Sequence, residues 1–173
     1  MTDLWNYAQR LYACPGVESA CLRLQEDGAD VCLLLCAAWL ERRDVACLAP
    51  RVEALRSLAE PWQRDVIAPL RGLRREWKTP AQHDAQLAVL RERLKALELH
   101  AERTLLQRLQ DAASDWPGAH RQSPMTWLIA LGGEHADQAA LNCLHQGAGT
   151  VTLAPGVAPG ATEEGEGNRR ARE

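Results

Sequence analysis

The chain has 173 residues and a formal net charge of −3, with 46% apolar and 25% charged residues. That is room for one sizeable core and an ordinary soluble balance rather than a disordered one, and the charge argues against a surface built throughout to grip nucleic acid. Good helix formers dominate, with 28 Ala and 26 Leu against 8 Val, 2 Ile and 7 Thr and no Phe. An all-β fold is thereby excluded and a doubly wound α/β fold disfavoured.

Residues 3–14 carry Leu4, Ala8, Leu11 and Tyr12 at helical spacing, and Pro15-Gly16 stops that helix. Val17, Ala20, Cys21 and Leu24 repeat the pattern, with Gly28 placed as the residue after a helix end. Asp30 then caps residues 31–40, which are apolar around the whole helical circumference. Such a helix must be surrounded by others, so it is expected at the centre of the fold. Pro50 and Pro61 each sit where a first-turn proline opens a helix. From Trp62 the apolar residues Val66, Leu70, Leu73 and Trp77 form one stripe, while Arg64, Arg71, Arg74, Arg75 and Lys78 fall on the other side. Pro69 inside this stretch predicts a kink or a break.

Thr79-Pro80 reads as a cap and first-turn proline opening the longest helix, to about Asp115. Leu87, Leu90, Leu94, Leu97, Ala101, Leu105 and Leu109 form its stripe, which fits a helix lying along a bundle. Trp116-Pro117-Gly118 breaks the chain, and Ser123-Pro124 restarts a short apolar helix that Gly132-Gly133 ends. Ala136, Ala140, Cys143 and Leu144 make a last amphipathic piece. From Gly147 the 27-residue remainder holds six of the twelve glycines and one leucine. Too little apolar surface is present to offset the entropy of ordering, so a disordered tail rich in Gly, Ala, Pro and Glu is expected over 147–173.

The longest apolar run has ten residues, against about 20 for a bilayer span, so no membrane insertion is expected. The N-terminus shows no basic stretch followed by an apolar one, which predicts no signal peptide. Six cysteines sit mostly in apolar stretches and read as reduced core residues. A cytoplasmic protein is expected.

Two stretches carry a resemblance. The first runs from Leu4-Trp5 through Leu11-Tyr12, Pro15-Gly16-Val17-Glu18 and Cys21-Leu22 to residues 28–35. The second comprises Trp39-Leu40, Pro61-Trp62-Gln63 and residues 66–73. Together they resemble a family of short helical conserved proteins of Pseudomonas-like and related proteobacteria, of unknown function, over roughly the first 115 residues. The resemblance implies a helical bacterial protein and brings no catalytic residues with it.

Cys32 and Cys36 lie four apart on one helix, but among leucines and without a Cys-x-x-Cys pair they read as core residues rather than zinc ligands. A lowered thiol pKa at the helix start would be needed to make Cys32 a nucleophile. His83, His100, His120, His135 and His145 show no metal-ligand spacing, so loop and surface positions are expected. Asp111 and Asp115 resemble half of a magnesium–diphosphate site, yet the opposing acidic pair is missing apart from Asp27 and Asp30 at a turn. The cationic face with its flanking tryptophans is the most informative feature. Residues 50–78 hold seven basic and four acidic side chains, an excess of three. That face fits a solvated helix side or a contact with phosphates, an acidic partner or a membrane surface.

These observations predict an all-α fold, a single multi-helix orthogonal or bundle domain over residues 1–146, with the disordered tail beyond. No catalytic residue, metal or cofactor is assigned. The expected function is a non-enzymatic protein-interaction or regulatory module whose face is Trp62, Arg64, Arg71, Arg74, Arg75, Trp77 and Lys78, and its expected partner is a protein. A small-ligand binder or enzyme with a helical pocket, and a nucleic-acid-associated protein using the same face, are the alternatives.

Overall fold

Capping side chains and glycines set where the helices begin. The computed structural model describes residues 3–118, 123–133 and 135–153. Its regular elements in chain order are α1 (Leu4–Tyr12), α2 (Val17–Glu26), α3 (Val31–Arg42), α4 (Ala49–Trp62), a π turn (Gln63–Ile67), α5 (Ala68–Glu76), a 3-10 turn (Pro80–Gln82), α6 (Ala85–Ala112), α7 (Thr126–Gly132) and α8 (Gln138–Thr150). No strand occurs among the described residues, and the fold is all-α as the composition predicts.

Asp3 accepts from the Trp5 amide at 2.9 Å, and Asp30 accepts from the Cys32 and Leu33 amides at 2.8 and 3.2 Å. Each satisfies donors that the first turn leaves open. Residues 32–40 are all buried, and α3 packs against α1, α2, α4, α6, α7 and α8. The all-apolar helix is therefore the centre of the fold. Met125, at φ 63°, gives α7 no side-chain cap. Glu41 of α3 replaces it, accepting from the Trp127 and Leu128 amides at 3.0 and 3.3 Å. His145 of α8 lies 3.4 Å from the other Glu41 oxygen, so one carboxylate ties α3, α7 and α8 together.

Three expectations need correction. Pro61 does not open a helix; it lies inside α4, one residue before its end. Pro61 and Pro69 each remove an amide donor, and the wider π turn between them takes up the mismatch, the Ala68 amide donating to the Gln63 carbonyl. The break expected at Pro69 is realised there, with Pro69 in the first turn of α5. Thr79-Pro80 opens only the 3-10 turn, because Thr79 makes no side-chain cap. Asp84 starts the long helix instead, accepting from the Gln86 and Leu87 amides at 2.9 and 3.0 Å. Finally, α8 passes the expected boundary at 146, with Ala148 and Val151 buried. The remainder of the expected tail, 154–173, lies outside the described residues.

The 28 residues of α6 bury one face only in part. Ala101, Leu105, Leu106 and Leu109 enter the core, whereas Leu90 and Leu97 of the same stripe stay exposed. No helix among the described residues is long and apolar enough to cross a membrane.

Gly147 is a working part of α8 rather than the start of a tail. A Cβ there would lie 2.7 Å from Val17 Cγ2 and 3.2 Å from Leu11 Cδ1, whereas at Gly149 it would meet nothing within 4 Å. Overpacking costs 1–3 kcal/mol and the helix gains about 1 kcal/mol from Gly→Ala. Gly147→Ala is thus expected to lower stability by up to about 2 kcal/mol, and Gly149→Ala to raise it by up to ~1 kcal/mol. Urea denaturation of the two variants checks the difference in sign.

Candidate binding site

The register of α5 against α6 decides where the predicted cationic face points. Arg71 and Arg74 are one turn apart on α5, and Glu98 and Glu102 one turn apart on α6. Arg71 Nε donates to Glu98 at 2.9 Å and its Nη2 to Glu102 at 2.7 Å. Arg74 Nη2 donates to Glu98 at 3.2 Å, and Arg74 Nε donates to the other Glu98 oxygen. Gln25 of α2, with its amide oxygen turned inward, accepts from Arg71 Nη2 at 3.1 Å. Two guanidinium groups and two carboxylates thus neutralise one another. Side-chain exposure is only 15% for Arg71 and 8% for Glu98.

Burial opposes the ionisation of Glu98, but the hydrogen bonds and charges of Arg74 and Arg71 outweigh it and hold its carboxyl below the ordinary value. Burial pushes Glu102 up, against the attraction of Arg71 and with repulsion from Glu98 adding to the rise. One carboxylate holds the network while its neighbour bears the cost of sharing it.

The other basic residues of the predicted face are scattered. Arg64 is exposed and pairs with its neighbour Asp65 at 2.7 Å. Arg75 and Lys78 face solvent. Trp62 Nε1 donates to the Ala101 carbonyl at 3.0 Å beneath the Arg108 guanidinium, and Trp77 is half-buried. The seven residues therefore do not share one outward surface. Periodicity along one helix could not reveal this, because the partners that turn Arg71 and Arg74 inward stand on another helix. The legible signal was the Glu98, Glu102 spacing, which sequence reasoning missed.

The network forms the floor of a groove of about 920 Å³ between α1 and α2 on one side and α5 and α6 on the other. Trp5, Tyr12 and Leu35 line it, with Leu22 of α2 and Leu99 of α6 at about half exposure, 48% and 52%. A second cavity of about 600 Å³ lies between the α2–α3 turn, α4, the π turn and the loop after α7. Gln25 and Arg71 border both cavities and form the wall between them. In the second cavity Asp30 Oδ1 caps α3, while its buried Oδ2 makes no hydrogen bond. Burial raises the Asp30 carboxyl, against the Gln63 side chain, the Leu33 and Cys32 amides and the Arg71 charge.

The remaining candidates stay apart. Cys32 borders the groove but its thiol is pushed up by burial, and burial takes Cys36 and Cys21 up to about 12. Their sulfurs are held protonated, and the lowered pKa that a nucleophile needs is not found in them. Asp111 accepts from Gln107 on an exposed turn, and Asp115 is exposed beyond the end of α6. His135 precedes α8 and so shares no helix with His145; His83 and His100 are exposed, and His120 lies outside the described residues. No group of three potential metal ligands occurs among the described residues.

Every residue lining the larger groove lies between Trp5 and Leu106. The smaller cavity also draws on Leu131, Gly132, Gly133, His135 and Ala136. No curated protein and no solved structure matches the chain. A family model matches residues 3–109, the segment that contains the whole groove, and the chain belongs to that family, described as Protein of unknown function (DUF2390).

Proposed function

We propose that this chain is a non-enzymatic cytoplasmic interaction module that receives an amphipathic helix of a partner protein in the groove between α2 and α6. The observation that carries this reading is the pair of half-exposed leucines, Leu22 and Leu99, one on each wall above a charge-balanced floor. Exposed apolar groups lining a concave surface cost solvation in the free protein, and a partner's apolar helix face removes that cost. The groove's charged lining, Glu18, Glu92, Glu98 and Glu102 against Arg71, Arg74 and Lys95, has no positive excess, which suits an apolar stripe better than a phosphate. Among the five basic residues of the predicted face, only Arg75 and Lys78 remain outward without an ion pair to another described residue, a weak footprint for nucleic acid.

The test is co-purification of the tagged full chain with its partner from native cytoplasm, with nuclease present. Leu22→Arg with Leu99→Arg is expected to lose a partner that wild type captures, at an unchanged melting temperature. Arg75→Glu with Lys78→Glu is expected to keep it. Retention by the leucine variant, loss only in the basic variant, or no stoichiometric protein partner for wild type overturns the reading.

A further inference from the structure

The side of the α5–α6 pair turned away from the groove carries an inference independent of it. Leu90 and Leu97 stand about two turns apart on one face of α6, at 48% and 53% exposure. Leu99, which lines the groove, lies about 200° round the helix from Leu97. Arg108 falls about five turns beyond Leu90, on the same line of α6. There Trp62 of α4 packs on that line, its ring centroid 3.9 Å from the Arg108 guanidinium. The line is thus covered at Arg108 and left open at Leu90 and Leu97. On α5, Leu73 is 37% exposed and lies about 200° from Arg71, which lines the groove. The next residue, Arg74, accepts at its carbonyl from Arg91 Nε at 3.1 Å, one residue past Leu90. Leu73 and Leu90 therefore stand at one level of the helix pair.

Two charges of opposite sign border these leucines. Arg93 lies within about one turn of both Leu90 and Leu97, and Glu76 within about one turn of Leu73. Both are exposed, and neither makes an ion pair to another described residue. We propose that this face joins a second copy of the chain, the leucines burying against one another and Arg93 of each copy pairing with Glu76 of the other. A two-fold interface brings one surface against itself, so each charge on it must find its opposite on that same surface. A face of one sign would repel its copy, whereas one acid and one base give two reciprocal pairs. Half-exposed leucines cost solvation in the free chain, and their mutual burial removes that cost. Three leucines per copy make a small interface, so association is expected in the micromolar range.

Sedimentation equilibrium of the full chain, from micromolar to near-millimolar protein, is expected to show monomer and dimer in exchange. Leu90→Gln with Leu97→Gln replaces exposed leucines by a polar helix former. That variant is expected to melt as wild type does and to associate at least tenfold more weakly. Glu76→Arg sets like charges against each other and is expected to weaken the dimer at least threefold. Adding Arg93→Glu to it is expected to restore association to within twofold of wild type, a rescue that a merely structural role of either residue would not give. Leu22→Arg with Leu99→Arg, on the groove side, is expected to dimerise as wild type does. A wild type that stays monomeric overturns the proposal, as does normal association of the Leu90, Leu97 variant. Failure of the charge exchange to restore the dimer, or loss of the dimer in the Leu22, Leu99 variant alone, overturns it too. The groove reading is decided separately, by co-purification.

Discussion

Glu98→Ala is expected to cost about 3 kcal/mol of stability, the loss typical when one member of a buried charge network is removed. Glu98 accepts from Arg71 and Arg74 with 8% of its side chain exposed. Deleting it leaves two guanidinium groups to share Glu102. The conservative Glu98→Gln keeps an acceptor and is expected to lose roughly half as much. The pH dependence carries a second signature. Because the Glu98 carboxyl is held below its unfolded value of 4.5, the stability it contributes is complete above that pH. It is lost as pH falls below 4.5 through the lower folded value. Glu102, raised by burial, has the opposite sign: its folded form takes up a proton first, so its contribution becomes more favourable as pH falls. Urea denaturation of wild type between pH 7 and 3 is expected to show an acid limb that Glu98→Ala flattens. An unchanged limb in the variant contradicts the assignment.

Trp127→Ala is expected to cost about 3–5 kcal/mol, the range for deleting a buried tryptophan. Trp127 is fully buried, donates from Nε1 to the Val45 carbonyl at 2.7 Å and stacks on Trp116 at 6.1 Å. Trp127→Phe keeps most of the packing and loses the hydrogen bond, about 1 kcal/mol plus a smaller packing loss. The matched family segment ends at 109, before α7 and α8, yet both helices pack against α3. A chain ended after Gly118 uncovers apolar surface that no remaining element can hide. Its far-ultraviolet circular dichroism is expected to show no cooperative melt. Cooperative unfolding at the wild-type temperature would show instead that the matched segment closes its own core.

The groove explains why one helix read in isolation misled. Arg71 and Arg74 sit on the polar side of α5 by periodicity, and every count along residues 62–78 places them outward. Their direction is set by Glu98 and Glu102, 24 to 31 residues later in the chain. Leu90 and Leu97 erred the other way. They share a stripe with the buried Leu94, Ala101 and Leu105, but their own side chains are left uncovered at 48% and 53% exposure. Periodicity reports which residues share a face. It does not report whether anything covers that face.

By itself the sequence determined the all-α class, the central place of α3, most of the helix stops and the family resemblance. Those properties depend on neighbours within a few turns: cap donors, proline's missing amide and an apolar circumference that only other helices can bury. The tertiary structure alone decided the π turn between two prolines, the close approach at Gly147 and the inward arginines. It also made the two cavities that meet at Gln25 and Arg71. Each arises where segments distant in sequence meet, and the energy of a buried ion pair or a crowded methyl group exists only after that meeting.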